Sequence, residues 1–566
     1  MGLSILALGF LALLGLAYFV YGRFVAGRIG LDDANPTPAH AKQDGIDYVP
    51  TPRFYLFAQH LSAIAAAGPI AGPILACQSF GWLPCLVWIG LGVVFIGAAH
   101  DFSALAASVR HGASSVAEIA REELGRPAGR AMLAFIWIAL VYVIVAFADI
   151  TANTFVQGSQ ELLDAGASFH PGGAVASAST LYLFLAVLMG FLQRRFRLRL
   201  LPATLVFVPA TFALAWLGTK ISGALLLDYR TWALVILVYC VIASVVPVWA
   251  LLQPRGYLGG FVLFSTLGLG LLGMLFGGYE VKQPAFTAWD AGGATGALFP
   301  FLFVTIACGA CSGFHGLVCS GTTSKQIERE SHMPLVGYGA MLAEGLVAVI
   351  ALVTVMMASD EESAKLAPGS IYGNGVGRFM TLLIGKENLG FAVTFGAMAF
   401  STFVFDTLDV CTRLGRYLVQ ELFGWKGRSG AVAATLLTIA PPAIILSFSE
   451  SGAFRAYWTL FGASNQLLAA LTLFAIGVWL RRNGRSAAFV FVPMAFVLVM
   501  TTWALGRIAF ASLGAIDFDR LEASLPAAVN ALASIALLLL AAYFVGQGVR
   551  RLRSPPPARR VTVECG

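Results

Sequence analysis

Apolar runs of about 20 residues recur from one end of this 566-residue chain to the other. Each is long enough to cross about 30 Å of hydrocarbon as a helix. Fifteen stand out, over 3–22, 54–77, 83–108, 131–152, 176–192, 200–218, 231–251, 257–277, 297–324, 335–358, 388–411, 430–448, 456–480, 486–507 and 525–548. The expected fold class is therefore an all-α polytopic membrane protein with about 15 transmembrane helices. Charged residues are 11% of the chain, against about 25% in a soluble domain. The first run lacks a charged n-region and an A-x-A cleavage site, so it reads as a retained helix and not a signal peptide.

The distribution of Lys and Arg orients these runs. With the N-terminus outside and loops alternating, the cytoplasmic segments carry 27 of the 36 Lys and Arg. A bias kept to the last loop predicts an odd number of crossings and a cytoplasmic C-terminus. The net charge of +7 lies in short loops and forms no stripe, so no nucleic-acid partner is expected. The expected partners are a small-molecule substrate and the lipid bilayer, with oligomeric state open. Cys308 and Cys311 sit in IACGACSG without further ligands and read as small packing residues, so no metal or cofactor is expected. No nucleotide-binding or hydrolase motif occurs in a suitable context. Transport, if any, must run on a gradient, and the chain is not expected to be an enzyme. The longest polar insertions are 23–53, 153–175 and 359–387.

The second run contains SAIAAAGPIAGPILA over 62–76. Proline has no N–H and clashes with the carbonyl four residues earlier. Pro69 and Pro73 are thus expected to free the carbonyls of Ala65 and Pro69, while Gly68 and Gly72 let the backbone turn. In hydrocarbon, such backbone survives only when buried in protein or lining a watery cavity. Two Gly-Pro pairs predict a broken helix that forms part of a site; a plain packed kink is the alternative. The ninth run, TIACGACSGFHGLVCSGTTSKQI over 305–327, carries Gly309, Gly313, Gly316 and Gly321. His315 lies among them, with Ser312, Ser320, Thr322 and Thr323. It reads as a second break, or else as a Gly-rich packing helix. The two runs cross in opposite directions, as an inverted repeat requires. The expected repeats are 54–218 and 297–480, with helices over 231–277 inserted, all within one integral membrane transporter domain spanning 1–566. Two further helices over 486–548 and a basic cytoplasmic tail over 549–566 follow. The expected core is LeuT-like, of the amino acid–polyamine–organocation type, with two broken helices.

QHLSAIAAAGPIAGPILA closely resembles the signature of the carbon starvation protein A family. The resemblance continues through GWLPCLVWIGLGVVFIGAAHDF (81–102), ASVVPVWALLQPRGYL (243–258), IACGACSGFHGLVCSGTTSK (306–325), GYGAMLAEG (337–345), DTLDVCTRLGRYLVQEL (406–422) and WTLFGASNQLLAALTL (458–473). It covers about 54–475 and is closest to the shorter members. The resemblance implies a multi-pass protein of the bacterial cytoplasmic (inner) membrane, acting in nutrient scavenging under carbon starvation. It implies uptake of peptides or, in some members, proton-coupled uptake of pyruvate, on a LeuT-like fold. The expected function is a secondary active transporter importing peptides or a small carboxylate, coupled to H⁺ or Na⁺. A membrane nutrient sensor is the alternative, although no sizeable output domain is present.

Ionisable residues inside spans are expensive and usually functional. Glu344 is the first candidate for a proton-carrying carboxylate, with His315 as a titrating or substrate-binding partner. Structural hydrogen bonding is the alternative for each. Asp149 either faces a cavity as a third coupling group or caps the outer end of its span. Asp406, Asp409 and Arg413 share a helical face at spacings of three and four. They read as a salt-bridged inner gate or an ion-pair cluster at the membrane edge. Asp101 reads as a gate residue or as a charge paired with Arg110. Gln59 and His60 are placed at the inner vestibule. Ala65, Gly68, Pro69, Gly72, Pro73, Ser312, Gly313, His315, Ser320, Thr322, Thr323 and Asn465 form the expected substrate site. Backbone amides near Ile74 and Gly316–Val318 are expected to face a carboxylate, and the hydroxyls to offer Na⁺ ligands.

Overall fold

The computed structural model describes residues 2–44, 47–157, 168–293, 296–449, 452, 454–517 and 521–554. Among them every regular element is a helix. In chain order the main ones are α1 (Leu3–Ile29), α2 (Arg53–Ile64), α3 (Gly68–Phe80), α4 (Trp82–Arg110), α5 (Val116–Leu124), α6 (Arg126–Val156), α7 (Pro171–Phe196) and α8 (Leu200–Lys220). There follow α9 (Tyr229–Val245), α10 (Leu252–Phe276), α11 (Leu298–Thr305), α12 (Gly313–Gly321), α13 (Glu330–Met356) and α14 (Pro368–Ile384). The last are α15 (Leu389–Phe423), α16 (Gly427–Ser447), α17 (Phe454–Arg482), α18 (Ala488–Gly514) and α19 (Leu521–Arg553).

Among the described residues twelve helices are long and apolar enough to cross a membrane, and there are thirteen spans if the bent pair α2/α3 counts as one. The shorter α9 and the broken pair α11/α12 fall on the two remaining predicted runs, so all fifteen coincide with a helix or a broken helix. Each stretch expected as a repeat supplies one broken helix followed by four long ones: α2/α3, α4, α6, α7 and α8 in the first, and α11/α12, α13, α15, α16 and α17 in the second.

One expectation fails. Residues 359–387 were read as a polar insertion, yet α14 lies there, largely buried against α15. Its glycines recur every fourth residue and admit the partner backbone. A Cβ on Gly369 would meet Phe400, on Gly373 Ala397, and on Gly377 Val393. Contacts descending in α15 as they ascend in α14 make the pair antiparallel, and small residues at this spacing are what lets helices approach closely. Arg378, near the far end of α14, donates to the Met357 carbonyl at the end of α13 and stands 3.8 Å from Glu362. By Arg378 the chain is therefore back beside the end of α13. Most of the predicted basic tail, from residue 555 on, lies outside the described residues.

Candidate functional site

The centre of the fold is where the two broken helices meet. α2 and α3 are bent by 47°, and the chain leaves the helix over 65–67, with Ala65 at φ −75°, ψ 57°. The break thus lies just upstream of the Gly-Pro pairs, a correction to the expectation that they formed it. Pro69 occupies the first turn of α3, where a missing N–H costs nothing. The amino-terminal end of the half-helix is accordingly at Gly68, not near Ile74. The glycines serve close approach instead. A Cβ on Gly68 would lie 2.5 Å from Cys308 Sγ, and one on Gly72 would lie 2.6 Å from the Thr305 carbonyl oxygen.

In the facing broken helix, residues 306–312 leave the helix. Its freed carbonyls have partners: Trp458 Nε1 donates to Thr305 O at 3.0 Å and Trp88 Nε1 to Ile306 O at 3.1 Å. The second half-helix begins at Gly313, one turn before the expected Gly316–Val318. Its end is capped from α17, where Asn465 Oδ1 accepts from the Phe314 amide at 2.9 Å and Asn465 Nδ2 donates to Ser312 Oγ at 3.0 Å.

His315, in the first turn of α12, is the hub of a buried polar cluster. Its Nδ1 lies 2.8 Å from Asp101 Oδ2, and its Nε2 lies 3.1 Å from Glu344 Oε2, off the line of a hydrogen bond. Asp101 Oδ1 is 2.7 Å from His100 Nδ1. All four side chains are at most 1% exposed, so solvent does not screen them. They come from α4, α12 and α13. Gly316 makes room, since a Cβ there would meet the His100 ring at 3.3 Å.

Chemistry fixes the protons. An ionised carboxylate only accepts, so Asp101 requires Nδ1–H on both imidazoles. His315 Nε2 then faces Glu344 with either a lone pair or a proton. Two facing acceptors repel, so the approach is favourable when either the imidazole or the carboxyl carries a proton.

Asp101 was expected at a gate or against Arg110. It stands inside the cluster, and Arg110 instead pairs with Glu330 at 2.9 Å. Asp149 lies apart from His315 and Glu344; it accepts from the Tyr229 hydroxyl and from Asn153. Asp406 and Asp409 do share a cluster, but Arg413 is not its cation. Arg413 donates to the carbonyls of Ala243 and Val246 at the end of α9. The cation is Arg255, 1% exposed, with Nη2 2.6 Å from Asp406 and Nη1 2.6 Å from Asp409. Tyr239 bonds both Arg255 and Asp409. This cluster ties α9 and α10 to α15. Ser320 and Thr322 bond the carbonyls of Gly316 and Val318 one turn back, and Thr323 bonds His60. Neither His100 nor Arg255 is among the site residues expected from the sequence, and Arg255 falls between two of the apolar runs. The signal for His100 was its adjacency to Asp101 in AAHDF.

The sequence model described as "Carbon starvation protein CstA" matches residues 1–374 and 363–504. A protein named peptide transporter CstA from Bacillus subtilis (strain 168) is 32% identical over 545 residues, which cover 87% of this chain and 88% of that protein. The peptide transporter CstA of Escherichia coli (strain K12) is 31% identical, over 89% of this chain and 80% of its own length. The pyruvate/proton symporter BtsT of the same organism is 30% identical, over 88% of this chain and 80% of its own length.

Proposed function

This chain belongs to the carbon starvation protein CstA family, and from that premise we propose that it imports peptides or a small carboxylate such as pyruvate by secondary active transport coupled to protons. The observation that carries the reading is the 3.1 Å approach of buried His315 to buried Glu344, with Asp101 on the other ring nitrogen, beside the two broken helices. Burying a lone charge costs several kcal/mol in an apolar interior. An anionic substrate entering beside this cluster adds a negative charge that one further proton on an imidazole neutralises. Proton and carboxylate then travel together, which is symport.

The breaks supply the place. The half-helices begin at Gly68 and Gly313, where inverted-repeat transporters place their midplane sites. In this reading 54–218 and 297–480 are the inverted repeats of a LeuT-like core, with α9 and α10 inserted. The protein lies in the bacterial inner membrane with its N-terminus outside and C-terminus in the cytoplasm, and serves scavenging during carbon starvation. Protons are favoured over Na⁺ because Ser320 and Thr322 bond their own helix and Thr323 bonds His60.

Proteoliposomes test this. An inward proton gradient is expected to drive accumulation of radiolabelled pyruvate or of dialanine, and a Na⁺ gradient alone is not. Glu344→Gln is expected to abolish accumulation while keeping counterflow. Failure of both substrates to accumulate under either gradient would sink the reading.

A further inference from the structure

The connection between α7 and α8 reads QRRFRLRLL over 193–201. It places four arginines within six residues. Arg194 and Arg195 lie in the last turn of α7, Arg197 in the turn itself, and Arg199 just before α8. All four are exposed, and among the described residues none has a carboxylate partner. Nor does the nearby sequence offer one, since 165–227 and 229–279 hold no acidic residue. Between the arginines stand Phe196, Leu198 and Leu200, all exposed, and Leu201 follows at 70% exposed.

The backbone here suits an anion. Arg197 takes φ 50°, ψ 38°, the left-handed conformation that glycine adopts at helix ends without strain. Arg199 puts a cation at the positive end of α8, where no side chain caps the first amides. That placement is unfavourable until a negative group sits between the guanidinium and the amides. Beside the hairpin, Trp249 lies in the short turn between α9 and α10, and the Arg194 guanidinium stands 4.1 Å from its ring centre. The turn is seated on α7, for a Cβ on Gly190 would lie 2.7 Å from the Trp249 carbonyl oxygen. Indoles beside the ends of membrane-crossing helices sit at headgroup level.

We propose that this hairpin, with Trp249 beside it, binds an anionic phospholipid. The arginines take the phosphate through charge-assisted hydrogen bonds, and the acyl chains lie along Phe196, Leu201 and the exposed Leu205 of α8. Loop charge alone orients helices, and lysine would serve for that. Here every cation is arginine, whose fork clasps a phosphate through two N–H groups. The apolar residues among the arginines select a lipid over a soluble acidic partner, because a headgroup arrives with chains that cover them. The site is independent of what the protein carries.

Native mass spectrometry of the full chain in detergent tests this, with equal amounts of dioleoylphosphatidylglycerol and dioleoylphosphatidylcholine added. Wild type is expected to retain phosphatidylglycerol preferentially. Each arginine near an anionic headgroup is worth about 5-fold in affinity, so Arg194→Gln with Arg197→Gln is expected to lower the preference about 10-fold or more. Two arginines remain there to orient the hairpin. Arg126→Gln with Arg130→Gln removes the same charge from the start of α6 and is expected to leave the preference intact. No preference in wild type, an unchanged preference in the hairpin variant, or equal loss in both variants would each overturn the site. A second readout keeps all four arginines and so does not depend on the folding of those variants. Brominated phosphatidylglycerol is expected to quench more tryptophan emission than brominated phosphatidylcholine, and Trp249→Phe to remove most of that excess. An excess that survives Trp249→Phe places the lipid elsewhere and overturns the proposal.

Discussion

A methyl group at Gly72 would sit 2.6 Å from a backbone oxygen of the opposite break, and backbone cannot swing aside as a side chain can. Gly72→Ala is therefore expected to destabilise the protein by about 1–3 kcal/mol, read as a lower thermal midpoint in detergent. Gly15→Ala, where nothing lies within 4 Å, is the control and is expected to be neutral. Asn465→Ala removes the cap on α12 and is expected to cost about 1–2 kcal/mol; Asn465→Asp keeps the acceptor for the Phe314 amide and is expected to lose less. At this scale the sequence was informative about identity and poor about partners. Glu344 and His315 stood out as ionisable groups in apolar runs. What each touches depends on residues far off in the chain, as with Asp101 and His315, which are 214 positions apart. Gly68 and Gly72 announced backbone freedom, but only the fold shows that the freedom serves contact with Thr305 and Cys308.

Two elements outside the core have consequences of their own. Helix α5 begins with a capping box, in which Ser115 and Glu118 satisfy each other's backbone amides. Its far end is held by His111, whose Nε2 lies 3.2 Å from Glu123 Oε1. Burial works against a charge on this imidazole, but the Glu123 carboxylate and the Ala107 carbonyl outweigh it and hold the ring above its ordinary value of 6.5. A raised folded value means the contribution is fully present below pH 6.5 and is lost as pH rises through that folded value. Amide exchange across Val116–Leu124 is expected to quicken over that rise, and Glu123→Gln to flatten the dependence. The second element is the junction of α9, α10 and α15 at Arg255. Arg255→Met leaves Asp406 and Asp409 buried together and is expected to cost about 3–5 kcal/mol, seen as reduced yield of folded protein. Spacing placed both aspartates on one face, as found. It nominated Arg413 as their cation because that residue is near in sequence, whereas burial had already claimed Arg255 from what looked like a loop.

For the molecule as a whole, hydropathy was sufficient to place a helix or a broken helix at every one of the fifteen runs. It missed α14 because Gly369, Gly373, Asn374, Gly375 and Gly377 dilute the apolar signal. The four-residue repeat of glycine was the available clue. If the chain that is back beside the end of α13 at Arg378 makes no crossing of its own, the parity is unchanged, and the two ends of the chain are expected on opposite faces of the membrane. With Cys565→Ser as background, Gly2→Cys is expected to react with an impermeant maleimide on intact cells, and Ser554→Cys only after permeabilisation. Labelling of both on intact cells would contradict the parity. The indoles of Trp88 and Trp458 have a further use. Each holds a backbone carbonyl of the same break, from helices far apart in the chain. Any rearrangement that parts α11 from α4 or α17 exchanges those carbonyls for other company around the chromophore. Retaining these two tryptophans and replacing the other nine of the eleven with phenylalanine would leave a protein whose own ultraviolet emission reports the state of its centre, without a dye.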